Sequence, residues 1–207
     1  MKIGIIGAGN VGQALATGSV GAGHTVTISS STVEEAESAA SQVGSGASVA
    51  PSNREAAADA EIVILAVPFD AVNGIIKELG PVLDGKILVD VTNRFAPDQL
   101  GAPSNAELIA EMTPNARVVK AFNTVFAANQ ADAAVEGVQL DGFVACDNQA
   151  AKEKMLEFVG SLGYRPIDAG PLAMARALEG MGTLNIYLNM THQWPWQSGW
   201  KLLGPTG

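Results

Sequence analysis

Lys2-Ile3-Gly4-Ile5-Ile6-Gly7-Ala8-Gly9-Asn10-Val11-Gly12 opens with a short apolar run and ends in G-x-G-x-x-G, with helical spacing continuing through Leu15. A strand that breaks into such a turn and then a helix gives each glycine a task. Gly7 allows the tight turn, Gly9 lets a pyrophosphate approach the backbone, and Gly12 brings helix against strand. The helix start aims N–H groups and the positive end of its dipole at that pyrophosphate. Gly7, Ala8, Gly9, Asn10, Val11 and Gly12 are therefore read as a dinucleotide-binding loop. The alternative is a glycine turn that serves the fold alone.

Outward from this loop, apolar strands alternate with helices, as a doubly wound parallel sheet requires. Strands are expected at 25–28, 47–50, 61–67, 86–91 and 117–121. Helices are expected at 33–43, 69–79 and 107–112, the first capped by Thr32 with Glu35 three residues on. Residues 97–105 read as a loop. Ile62-Val63-Ile64-Leu65-Ala66-Val67 is apolar at every position, the mark of a strand covered on both faces. Strands at 142–146 and 164–168, a helix at 149–160 and a long helix from Pro171 to Met190 follow. The expected class is α/β: a Rossmann-type doubly wound, mostly parallel sheet. Residues 1–120 form the binding domain and residues 121–207 a short C-terminal α/β extension.

Hydrophobic residues make up 47% of the 207 and charged ones 16%, which suits a globular chain. Twelve basic against 21 acidic side chains give a net charge of −9. That surface repels phosphate backbones and anionic membranes, so neither nucleic acid nor membrane is an expected partner. No apolar run approaches the ~18 residues of a membrane span. The N-terminal run reads as a strand rather than a signal peptide, and a cytoplasmic protein is expected. Cys146, the one cysteine, permits neither an internal disulfide nor a cysteine zinc cluster. It reads as a buried strand residue, and no metal centre is expected.

Which dinucleotide binds is read at the end of the second strand. An NAD site usually carries Asp or Glu there for the ribose 2′-hydroxyl. This chain has Ser30, Ser31 and Thr32 instead, whose hydroxyls can donate to a 2′-phosphate, and NADP(H) is favoured. No arginine stands beside them, however, and Glu34, Glu35 and Glu37 follow closely. Ligands of an open sheet lie beyond the carboxyl ends of its strands. This adds Ala66, Val67, Pro68 and Phe69, then Val91, Thr92, Asn93 and Arg94, then Ala121, Phe122, Asn123, Thr124 and Val125. Asn93, Asn123 and Thr124 read as nicotinamide and ribose contacts, or as caps of local turns.

Several dehydrogenase chemistries lack their residues here. Neither Tyr164 nor Tyr187 has a lysine four positions on, and the two histidines, His24 and His192, read as packing residues. No catalytic acid or base is assigned. A reaction that needs little proton handling fits best, such as hydride exchange between a nicotinamide and a flavin-like ring. A redox-sensing module that binds NADP(H) without turnover is one alternative. An NADPH-dependent reductase of a small carbonyl or imine is another.

The glycine loop, the 62–68 strand with Phe69 behind it, Lys120-Ala121-Phe122-Asn123-Thr124, and Tyr164-Arg165-Pro166-Ile167-Asp168-Ala169-Gly170-Pro171-Leu172 with Arg176 and Glu179 together resemble the coenzyme F420-dependent NADP oxidoreductases. The resemblance implies NADP(H) on the glycine loop and the Ser30–Thr32 turn. It implies a deazaflavin, coenzyme F420 or a flavin, near Pro68, Phe69, Asn123, Thr124, Val125, Phe126, Pro171 and Met174. It also implies a homodimer with the C-terminal helix at its interface. Two positions depart from the family pattern: Ser31 replaces an arginine, and Asn123 stands where archaeal members carry histidine. Arg176 and Glu179 read as a pair on one helix face, or Arg176 as facing an anionic ligand tail. Trp194, Trp196 and Trp200 read as aromatics that bury a terminus or a dimer contact, or that stack on a flavin ring.

Overall fold

The structure, a computed structural model, describes residues 1–93 and 103–204. Its first half alternates strand and helix: β1 (Lys2–Ile6), α1 (Asn10–Gly21), β2 (Thr25–Ser29), α2 (Val33–Val43), β3 (Ala47–Val49), α3 (Asn53–Ala58), β4 (Ile62–Leu65), α4 (Phe69–Leu79) and β5 (Ile87–Asp90). There follow α5 (Asn105–Met112), β6 (Arg117–Ala121), α6 (Ala127–Gln130), a small hairpin of β7 (Ala134–Val135) and β8 (Val138–Gln139), β9 (Asp141–Cys146), α7 (Gln149–Ser161), β10 (Arg165–Gly170) and α8 (Ala175–His192). Arg94 and residues 97–102 of the expected loop lie outside the described residues.

The period-two alternation of the strands divides their side chains between two cores. Ile3, Ile5, Ile62, Ile64, Ile87 and Val89 meet Leu15 and Ala16 of α1, Ala36 and Ala39 of α2 and Phe158 of α7. Ile6, Val63, Leu65 and Leu88 meet Ala56 of α3, Val72 and Ile76 of α4 and Ile109 of α5. Helices thus cover both faces, which is why β4 has no polar position.

The main sheet runs β10-β9-β6-β5-β4-β1-β2-β3. From β3 to β6 this is the doubly wound order, whose direction of winding reverses between β1 and β4. Beyond β6 the sheet continues with β9 antiparallel, Val119 opposite Cys146 and Ala121 opposite Val144, and then with β10 parallel to β9. The sheet therefore crosses residue 120 without a break.

Four helices differ from expectation; one is the four-residue α6, too short to show a helical period. α3 was not anticipated; Ser52 Oγ accepts from the Glu55 N–H and caps it. α5 begins at Asn105 rather than 107, because Ser104 and Glu107 form a reciprocal capping box. The final helix starts at Ala175, after a separate 3-10 turn at Leu172–Met174. Thr32 caps α2, as its sequence predicts.

A buried charge cluster joins α8 to the sheet. Lys120 is fully buried and donates to Asp90 Oδ2 at 2.8 Å, Glu179 Oε1 at 2.7 Å and the Thr92 carbonyl at 2.6 Å. Removing an ammonium from water costs several kcal/mol, about what close anionic partners return. Burial pushes the Glu179 carboxyl up, against the pull of Lys120.

Candidate functional site

β1 ends where the winding reverses, and the glycine loop crosses that point. Gly7 has φ +112° and its N–H donates to the Ser29 carbonyl at 2.9 Å. A Cβ on Gly7 would stand 2.3 Å from the Ala66 carbonyl oxygen, and one on Gly12 would stand 2.0 Å from the Gly7 oxygen. The protein's own backbone excludes side chains at both positions. Gly9 differs. Its φ of −73° and ψ of −178° suit any residue, and a Cβ there would meet no heavy atom of the described residues within 4 Å. Gly9 is also the N-cap of α1, which no side chain among the described residues caps. Open space over a bare helix start is the shape a pyrophosphate fills.

A cleft of about 410 Å³ opens at this point. It is lined by Gly7, Ala8 and Gly9, by Ser30 and Ser31 beyond β2, and by Ala66, Val67 and Pro68 beyond β4. The sequence reading missed Ile6, Asn53, Ala71 and Ile75, which complete its wall. Ala71 and Ile75 lie two and six positions after Phe69, on the α4 face turned to the sheet end.

Ser30 and Ser31 already have a partner: both hydroxyls donate to Glu35 Oε2, at 2.8 and 2.7 Å. These bonds, Ser31 first, hold the Glu35 carboxyl below its ordinary range. Thr32 Oγ1 accepts from the Glu35 N–H at 3.3 Å and serves the helix start instead of the cleft.

On the other side of the α1 start lies a smaller cavity of about 110 Å³. Val11, Asn93, Asn123, Thr124, Val125 and Phe126 all line it, as do Gln130 and, from α8, Gly182, Asn185 and Ile186. The two asparagines clasp each other: Asn123 Nδ2 donates to Asn93 Oδ1 at 2.9 Å, and Asn93 Nδ2 to the Asn123 carbonyl at 2.7 Å. Asn123 Nδ2 also reaches the Leu178 carbonyl of α8 at 2.9 Å. A Cβ on Gly182 would fall 2.5 Å from Asn93 Oδ1, so α8 needs glycine there to close on the clasp.

Other expected residues stand apart. Asn10 is exposed at the start of α1. Thr92 is buried, and its hydroxyl accepts from Asn105 Nδ2 at 2.8 Å. Phe69 packs against the second core at the start of α4, while Pro171 caps the 3-10 turn before α8 and Met174 ends it. None of these lines either cavity. Arg176 and Glu179 do not pair with each other. Arg176 makes a two-pronged bond to Glu107, Nε to Oε2 and Nη2 to Oε1, both at 2.8 Å, while Glu179 takes Lys120. Each has a better-placed partner on another element, α5 for Arg176 and β6 for Glu179, than along its own helix.

The tail closes back on the smaller cavity. Asn185, in its wall, is bonded by Ser198 Oγ at 2.6 Å, and Trp196 meets Phe126 edge-on at 5.4 Å between ring centres. Asp141 anchors the tail through the Leu202 N–H and Lys201. Trp194 stacks on His192 at 5.0 Å, and His24 packs on Phe158.

A doubly wound sheet with this glycine turn at its winding reversal defines a Rossmann-type dinucleotide-binding protein. Known proteins narrow the class. The family profile described as "NADP oxidoreductase coenzyme F420-dependent" matches residues 2–94. The F420-dependent NADP reductase of Methanothermobacter marburgensis is 32% identical over 213 residues, which cover 93% of this chain and 94% of that protein. This chain belongs to the F420-dependent NADP reductase family. Metalloreductase STEAP3 of Rattus norvegicus is 35% identical over 185 residues, 87% of this chain, but the chain spans only 36% of that protein's length. A crystal structure from Arthrobacter sp. FB24, of a protein provisionally named an F420-dependent NADP-reductase, superposes with a TM-score of 0.86 at 27% identity, covering 99% of this chain and all of that one. The imine reductase of Myxococcus stipitatus has the same fold, with a TM-score of 0.74 at 20% identity, over 93% of this chain and 63% of that chain.

Proposed function

We propose that this chain moves hydride directly between NADP(H) and a deazaflavin, coenzyme F420, or a flavin-like acceptor. The observation that carries the reading is the open backbone at Gly9, on an uncapped helix start between two cavities. NADP(H), when bound, supplies or takes the hydride. Ala8, Gly9 and the first turn of α1 offer backbone N–H groups to its pyrophosphate, while Gly7, whose own N–H is taken by Ser29, makes the turn. The apolar wall of Val67, Pro68, Ala71 and Ile75 suits an adenosine face. Residues 1–120 hold the dinucleotide. Residues 121–207 shape the acceptor pocket, where Thr124, Val125 and Phe126 bound the smaller cavity and Trp196 meets Phe126 edge-on. No side chain needs to carry a proton for hydride to pass; alignment of the two rings is the protein's contribution.

The physiological acceptor is a small molecule in this reading, and the cytoplasm its setting. A homodimer is supported by Leu184, Tyr187 and Met190, which recur every three residues on α8 and are 47%, 55% and 55% exposed. The match to a metalloreductase supports a second acceptor class, a metal chelate.

Stopped-flow absorbance of NADPH and NADH oxidation tests the proposal, with oxidised F420, FMN, FAD or a ferric chelate as acceptor. Rapid NADPH oxidation with F420 or a flavin is the expected result. Tight binding with no turnover in any mixture overturns the enzyme assignment in favour of a sensor.

A further inference from the structure

The adenosine end of the cleft holds a feature that the family membership does not explain. A 2′-phosphate needs donors and positive charge. From Ile3 to Asn53 the chain carries no lysine or arginine, while Glu34, Glu35 and Glu37 follow the Ser30–Thr32 turn directly. Of these, Glu35 occupies the donors themselves: one oxygen accepts from both Ser30 and Ser31, the two serines that line the cleft. An incoming 2′-phosphate must break both bonds and then sit beside a like charge. A ribose 2′-hydroxyl meets the opposite situation, since an ionised carboxylate is the acceptor it seeks.

We propose that Glu35 is a specificity-determining residue, which weakens NADP(H) relative to NAD(H) by holding the Ser30 and Ser31 hydroxyls and by presenting its carboxylate to the 2′ position. The inference rests on the reading that this cleft binds the dinucleotide. The side chain leaves from α2, five positions after Ser30, and so does the work usually given to a carboxylate at the strand end itself. In this chain NAD(H) therefore competes for the cleft more strongly than the family name implies.

The test is titration of NADPH and of NADH by nicotinamide fluorescence with the wild-type chain, Glu35→Gln and Glu34→Gln. Glu35 is exposed, and its N-cap bond is made by the backbone, so the amide leaves α2 capped. Glu35→Gln is expected to tighten NADPH roughly tenfold, the order of one lost charge repulsion, and to leave NADH unchanged or weaker. Glu34→Gln is expected to move the ratio of the two affinities by less than about twofold, as a charge off the clasp should. Equal changes for both cofactors in Glu35→Gln, or the same shift from Glu34→Gln, overturn the role of Glu35. Binding of neither cofactor to the wild-type chain overturns the cleft reading itself, and the inference with it.

Discussion

Nothing among the described residues requires glycine at position 9, whereas Gly7 and Gly12 are glycine because carbonyl oxygens stand where their Cβ atoms would be. The distinction predicts two outcomes at one position. Gly9→Ala should leave thermal stability within about 0.5 kcal/mol of wild type, as for substitutions away from packed features. It should still weaken NADPH in a fluorescence titration. Gly9→Asp should abolish binding by setting a carboxylate against the pyrophosphate. Lys120→Met makes a contrasting case. It leaves Asp90 and Glu179 buried beside each other without their cation, and is expected to cost about 3–5 kcal/mol in denaturant unfolding. The glycines were legible in the sequence because their spacing follows from backbone mechanics. The clasp of Ser30 and Ser31 on Glu35 was not, since whether a hydroxyl waits for a ligand or holds a neighbour depends on rotamers that no pattern encodes. Nor does any pattern around Lys120 announce that its ammonium is buried.

Elements were legible to the extent that they carry period. α2, α4 and the strands of the doubly wound half stand close to their expected bounds, because one face or both must meet a core. α3 escaped because six residues are too few to show a helical period. Its signal was Ser52-Asn53-Arg54-Glu55, the same S-x-x-E that begins α5 at Ser104. At α5 the cap does a second job: Glu107 bonds Ser104 and also receives Arg176 from α8. Arg176, foremost, and the Ser104 bonds hold the Glu107 carboxyl down to about 2. A carboxyl lowered on folding stabilises the fold fully above its unfolded value of ~4.3 and loses that contribution as pH falls towards 2. Glu107→Gln should therefore cost about 1–2 kcal/mol at pH 7, discounted for the exposure of Arg176, and nearly nothing at pH 2. Urea unfolding at the two pH values checks it.

The whole molecule was legible up to β6 and less so beyond. A strand's apolar pattern does not state its direction, so nothing in residues 142–146 announced that β9 would run antiparallel to β6. The small β7–β8 hairpin and the short α6 between them replace the crossover helix that a parallel neighbour would require. The site reflects the same division. The cleft over the glycine loop follows from the doubly wound order, while the smaller cavity depends on α8 and the tail, whose placement rests on Asp141, Asn185 and Asn189 bonding to backbone and serine partners.

That antiparallel seam also contains Cys146, opposite Val119, 1% exposed and with its thiol pushed up by burial. A thiol reagent can reach it only when the seam parts, so the labelling rate is a clock for opening of the sheet. One exponential phase is expected with a fast reagent at fixed pH. If the seam parts only when the glycine loop does, NADPH should slow the clock by 1 + [NADPH]/Kd, the factor by which a ligand shifts a shared unfolding equilibrium. A rate indifferent to NADPH would reveal a second half that breathes on its own, apart from the loop that holds the dinucleotide.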